Sequence, residues 1–253
     1  MTTEASDASM TTPDEPTRTA PPDGGRRGAS RPVASWQAIR FVGRRVGPRP
    51  DSGWHAGFGT LLGLAVLVGT VVGVATDLLQ AHLNSPWLAL VNAASPWLAP
   101  AFAVGIAARR YWHAAVAGLL TCVVELIAYD VTAHVRGIAV SSGITAFWAL
   151  CGVIGGPTFG VAGRLWRGGR GPLRGLGLAL LASAFFGEAA IAYALFLNYY
   201  SSAALFAVIG AALIATLGRR GKQYAMTCVW LLATFPAAVI GELLLHLVYS
   251  QTF

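Results

Sequence analysis

"WHAAVAGLLTCVVELIAYDVTA", residues 112–133, is apolar along most of its length and carries no Lys or Arg. A helix of that length measures about 33 Å at 1.5 Å per residue, enough to cross a hydrocarbon core about 30 Å thick. Glu125 and Asp130 stand inside it, and His134 follows one residue later. On insertion scales a charge at the bilayer centre costs roughly 2.5–3.5 kcal/mol. Carboxylates in such a place need either a partner or a task.

Runs of the same kind recur along the chain. They cover about 57–79, a segment ending near 108, and then about 112–133, 142–163, 173–198, 202–218 and 224–248. Only 11% of the 253 residues are charged, against about 25% in soluble domains, and the mean hydropathy is +0.58. These features predict an all-α, polytopic transmembrane helix bundle of about seven spans.

The net charge of +7 does not mark a nucleic-acid protein, because of where the charge sits. All 18 basic residues except Lys222 are Arg. They gather before the first span and at 109–110, 164–174 and 219–222, the pattern of cytoplasmic connections under the positive-inside rule. Arg136 alone falls on the other side. The N-terminus is therefore expected in the cytoplasm and the C-terminus outside.

Three regions follow. Residues 1–32, rich in Thr, Pro, Asp and Gly, have too little apolar surface to offset the entropy of ordering and read as a disordered cytoplasmic tail. Residues 33–55 are basic, and Trp36, Ile39, Val42 and Val46 fall on one side of a short helix that Ser35 can cap, suited to an anionic membrane surface. Residues 56–253 form the transmembrane helical domain. Cys122, Cys151 and Cys228 lie singly in apolar runs, without the paired spacing of a disulfide framework or a zinc knuckle.

Residues 86–108 allow two readings. "SPWLA" occurs at 85–89 and again at 95–99, and Ser-Pro is a helix-start signal. One reading is a single kinked span from near 87. The other is a short surface helix followed by a span from near 96. In both, Trp87 and Trp97 read as interfacial anchors.

Small residues mark expected packing faces, since close backbone approach helps helices associate in lipid. Gly59, Gly63 and Gly73 fall on one stripe of the first span, together with Val66, Thr70 and Asp77. Gly152, Gly156 and Gly160 do so on the fourth, in line with Thr145 and Trp148. Pro157 lies within that fourth span, frees the Val153 carbonyl and predicts a kink.

Asp77, Glu125, Asp130, Glu188 and Glu242 lie within or at the ends of spans one, three, five and seven, which all run outward in this threading. With His134 and His246 they are the candidate binding residues, lining an outward-facing cavity for a small cation or polar solute. Glu242, His246 and Tyr249 share one helix face, and Asp130 and His134 are spaced to bond. Glu125 sits about 140° round the helix from Asp130, so both cannot face one neighbour. The alternative is that the carboxylates only specify helix packing, in a membrane scaffold or accessory subunit. His-Glu-x-x-His and Gly-x-Ser-x-Gly motifs are absent, so neither an enzyme nor a cofactor is expected. The residues name no particular metal and no partner subunit.

Several segments in order carry a resemblance: "DLLQ" (77–80), "AFAVG" (101–105), "ELIAYD" (125–130), "FWALCGVIGGPTFGVAGRLWR" (147–167) and "FFGEAAIAY" (185–193). They resemble a family of multi-pass membrane proteins of high-GC Gram-positive bacteria, grouped around a domain of unknown function, over about 57–250. The most specific part is the run of Trp148, Gly156, Pro157, Phe159, Gly160, Gly163, Trp166 and Arg167. The resemblance implies a bacterial plasma-membrane location and brings no catalytic residues with it. A looser likeness, to the membrane-embedded substrate-capture subunits of vitamin importers, rests on size and hydrophobicity alone.

Overall fold

The computed structural model describes residues 56–218 and 222–252, which are helical with short connections. The tail 1–32 and the basic segment at 33–55 lie outside the described residues, as does the side chain of Tyr249. Among the described residues seven α-helices follow in order: α1 (Phe58–Gln80), α2 (Ala94–Ile106), α3 (Tyr111–Val135), α4 (Ser142–Gly168), α5 (Leu176–Gly187), α6 (Tyr200–Leu217) and α7 (Lys222–Thr252). A π-helical segment, Glu188–Phe196, continues α5, and 3-10 helices occupy Trp87–Val91 and Gly171–Leu173.

Among the described residues, six helical stretches are long and apolar enough to cross a membrane: α1, α3, α4, Gly171–Phe196, α6 and most of α7. Large apolar side chains such as Leu67, Val71, Ile127 and Leu232 are exposed around the outside. Water penalises such a surface, whereas hydrocarbon does not. The chain is accordingly a multi-pass membrane protein.

Helix α2 is the exception among the expected spans. Its 13 residues make only about 20 Å. The region at 86–108 breaks in two: the first Ser-Pro opens the 3-10 helix, and the chain turns extended at Ala93 before α2 begins. Asn92 marks the break, donating to the Leu88 carbonyl and accepting from Gln80 at the end of α1. At the other end of α2, the Ala107 carbonyl accepts the Ala56 N–H just before α1. The 3-10 helix and α2 thus connect the two ends of α1.

Backbone approach sets the core. On α1 the buried face is Leu61, Ala65, Gly69, Gly73 and Asp77, four residues apart, with Gly69 and Gly73 against the α3 backbone near Thr121 and Glu125. Gly59 and Gly63 lie on a different face, with open space where a Cβ would be. The expected stripe therefore holds at Gly73 and Asp77 and fails at Gly59 and Gly63. The buried face reaches Gly73 and Asp77 instead through Leu61, Ala65 and Gly69.

Helix α4 packs between α2 and α3. Gly156 and Gly160 meet the Gly118 and Ala114 backbone of α3, Gly160 and Gly163 meet α2 at Gly105 and Phe102, and Gly152 touches Cys122. The helix continues through Pro157. The α3 contacts run the two helices antiparallel, while Trp97 beside Trp148 near their starts and Arg167 on the Ile106 carbonyl near their ends run α4 parallel to α2.

The second half is assembled around α5. Gly175 starts it at φ 84°, a left-handed conformation that glycine adopts without steric cost, and lies against Thr227 of α7. Ser183 and Thr234 share a hydrogen bond of 2.6 Å, and Gly187 sits beside Ala238. Helix α7 packs on α5 and its π continuation, rising beside them.

Candidate functional site

A cavity of about 620 Å³ lies where α1, α3, the π segment and α7 end and where α2 and α4 begin. Asp130, Glu188, Glu242 and His246 line it, and no Lys or Arg among the described residues does. Four of the expected binding residues, from three helical stretches, therefore share one chamber. Their roles within it differ.

Glu188 is committed to the fold. It opens the π segment, is buried, and its carboxylate accepts the N–H of Ala94 at 2.6 Å, the N–H of Ser95 at 3.0 Å and the Ser95 hydroxyl. Ala94 and Ser95 are the first residues of α2, whose N–H groups have no partner inside the helix. The carboxylate supplies one, at the positive end of the helix dipole.

Asp130 is half satisfied. Its Oδ2 accepts the Thr145 hydroxyl at 3.2 Å, in the first turn of α4, while Oδ1 is buried with no hydrogen-bond partner. Glu242, half-buried on α7, makes no hydrogen bond to any described residue. His246, one turn on, stacks on Phe196 of the π segment with centroids 3.8 Å apart and planes within 9°.

The other three candidates lie elsewhere. Asp77, 2% exposed, forms an ion pair with Arg136 at 2.7 Å. Arg136 also donates to the Asp77 carbonyl, so the pair ties the end of α1 to the end of α3. Glu125 is fully buried at the α1–α3 contact, with both carboxylate oxygens unpartnered. His134 is exposed and outside the cavity, and the expected bond to Asp130 is not formed because Asp130 is turned to Thr145. The chamber is thus a subset of the anticipated acidic lining.

Its aromatic wall was not anticipated. Trp97 stacks on Trp148, centroids 5.4 Å apart and planes within 20°, and Tyr129 meets Trp97 edge-on at 5.5 Å. Trp97 is an inner wall, while Trp87 stays exposed, as an interfacial anchor would. Trp148 follows Thr145 on the small-residue stripe of α4 and Tyr129 precedes Asp130, so their positions were the available signal. The π segment was also unexpected. Such segments are frequent at functional sites, and this one contributes Glu188, Tyr193 and Phe196 to the chamber. Among the described residues no three His, Cys, Asp or Glu side chains gather as a metal-binding group.

A family of unknown function, DUF6518, matches residues 55–249. The chain belongs to the DUF6518 family. Its match runs from just before α1 into the last turns of α7, so it includes every lining residue named above. No curated protein and no solved structure matches this DUF6518 chain.

Proposed function

We propose that this DUF6518 protein binds, or carries across the bacterial cell membrane, a small cationic or polar solute held in the cavity at the ends of α3, the π segment and α7. The observation that carries this reading is the pair of unused acceptors on one chamber: Asp130 Oδ1 without a partner and Glu242 without a hydrogen bond. A buried acceptor left unmade is costly, and a bound donor that the Asp130 carboxylate turns to meet would remove that cost. The reading is of a non-enzymatic protein, supported by the absent hydrolase motifs.

The threading that goes with it has seven crossings, α2 being the short one, with the N-terminus in the cytoplasm. It is supported by the alternating directions of the helices and by Arg109, Arg110, Arg164, Arg167, Arg170 and Arg174 near one end of the bundle. On that threading the chamber opens outward. The Arg-rich, Lys-poor composition supports a GC-rich bacterial host.

A specific observation favours a second reading, the scaffold. Glu188 and Asp77 are each satisfied by protein partners, as carboxylates that only fix packing would be. A thermal melt of the full chain in lipid nanodiscs separates the two. The panel holds divalent metal ions, organic cations, sugars and amino acids, each run against wild type, Glu242→Gln and His246→Ala. A ligand at a hundred times its dissociation constant stabilises by about 2.7 kcal/mol. A shift in wild type that the variants lose supports binding. Early melting of both variants with no shift from any solute supports the scaffold.

A further inference from the structure

We infer that the solute is an organic cation, an ammonium or guanidinium compound whose charge lies against Glu242 and Asp130 and whose body lies against the Trp97–Trp148 pair. This rests on reading the chamber as a solute site and names the class of solute.

Size is the first argument. The volume, about 620 Å³, falls in the range of roughly 300–1,000 Å³ typical of sites for drug-sized molecules. A bare divalent ion instead needs several oxygen ligands at about 2.0–2.6 Å, and among the described residues no such group of side chains gathers.

Hydrogen-bonding capacity is the second. Most of the neutral polar side chains of the wall are already bonded within the protein, the Ser141 hydroxyl and the His246 ring being the exceptions. Gln80 pairs with Asn92 and Tyr129, Tyr193 donates to the Ala89 carbonyl, and Thr145 donates to Asp130. Glu188 is taken up by α2. Of the carboxylates, Glu242 remains open to the chamber, and Asp130 Oδ1 lacks a partner but is itself buried; carboxylate oxygens accept and do not donate when ionised. A sugar, which must donate and accept many times, finds little here. An anion is repelled, because no Lys or Arg among the lining residues offsets the carboxylates. A cationic donor meets the requirement.

The wall itself is the third. A cation within about 6 Å of an indole or phenol face is attracted by the ring quadrupole, and Trp97, Trp148 and Tyr129 lie together on one side of the chamber. The same rings cover the apolar part of an organic cation, a contact a hydrated metal ion cannot use.

The test compares charged probes with a neutral copy of one. Tetramethylammonium, choline and benzyltrimethylammonium are titrated against the full chain in nanodiscs, with 3,3-dimethylbutanol as the uncharged isostere of choline. Melting midpoint and calorimetric heat are both read. The expected result is binding of at least one cation, with choline favoured over its isostere by about tenfold or more. Glu242→Gln, on a side chain without bonds to lose, weakens the cation about tenfold, and Trp97→Leu weakens it more than Trp97→Phe. Equal binding of choline and its isostere, or shifts produced only by sugars, amino acids or metal ions, overturns the organic-cation class and leaves the solute site standing. No shift from any solute overturns both.

Discussion

Glu188 and Ser95, 93 residues apart in sequence, meet as a carboxylate and a helix N-terminus, with the Ser95 N–H donating at 3.0 Å. One side chain thereby fixes where α2 begins relative to the π segment, and with it the position of Trp97 two residues on. Removing the carboxylate leaves the donors of Ala94 and Ser95 unsatisfied in a buried site. Glu188→Ala is therefore expected to destabilise by about 1–3 kcal/mol, and Glu188→Gln, which keeps an acceptor, by less. Chemical or thermal unfolding in a fixed lipid or detergent checks the order, and equal stability of Glu188→Ala and wild type would show that the contact contributes nothing.

Gly160 and Gly59 give a matched pair on helix packing. A Cβ on Gly160 runs into the Ala114 carbonyl of α3, while one on Gly59 meets open space. Gly160→Val is expected to lower stability by about 1–3 kcal/mol or more through overpacking, and Gly59→Val to leave it within about 0.5 kcal/mol, as substitutions away from packed features do. Comparable losses at both positions would place an unseen neighbour against the Gly59 face.

Glu125 offers a test with the opposite sign. Both its oxygens are buried without a partner, and replacing an unsatisfied polar group by an apolar one of similar shape is neutral or stabilising. Glu125→Leu is expected to match or exceed wild-type stability, by up to about 1–3 kcal/mol, and to leave solute binding in the chamber unchanged. A large loss of stability or of binding would mean that Glu125 serves a group or path apart from the cavity.

How much of this the sequence disclosed depends on the physical signal behind each feature. Span positions were legible because a bilayer demands long apolar runs, and α1, α3, α4, α6 and α7 begin and end within a few residues of their expected limits. The division of 86–108 was not decidable, because Ser-Pro starts a helix equally well at both repeats. The buried face of α1 was misplaced, because glycine permits close approach without requiring it, and only a neighbouring backbone selects Gly69 over Gly63. Grouping Asp130 with Glu188, Glu242 and His246 followed from the shared direction of their helices. That Asp77 would pair with Arg136, or that Glu188 would cap α2, depends on which helices adjoin. A single sequence does not encode that in any periodicity.

The most direct measurement of the central claim, a wet and acidic chamber open to one end of the bundle, uses the native Cys151 on its wall. In a Cys122→Ala/Cys228→Ala background, Cys151 is challenged in nanodiscs with two water-soluble methanethiosulfonates of similar size, one carrying a trimethylammonium and the other a sulfonate. Labelling by both is expected, with the ratio of cationic to anionic rates about tenfold above the ratio the same reagents show with a free thiol in solution at low ionic strength, as an acidic cleft concentrates cations. Glu242→Gln should narrow that ratio. A Cys151 that reacts with neither reagent until the protein is unfolded, or that shows only the rate ratio of a free thiol, would contradict the account.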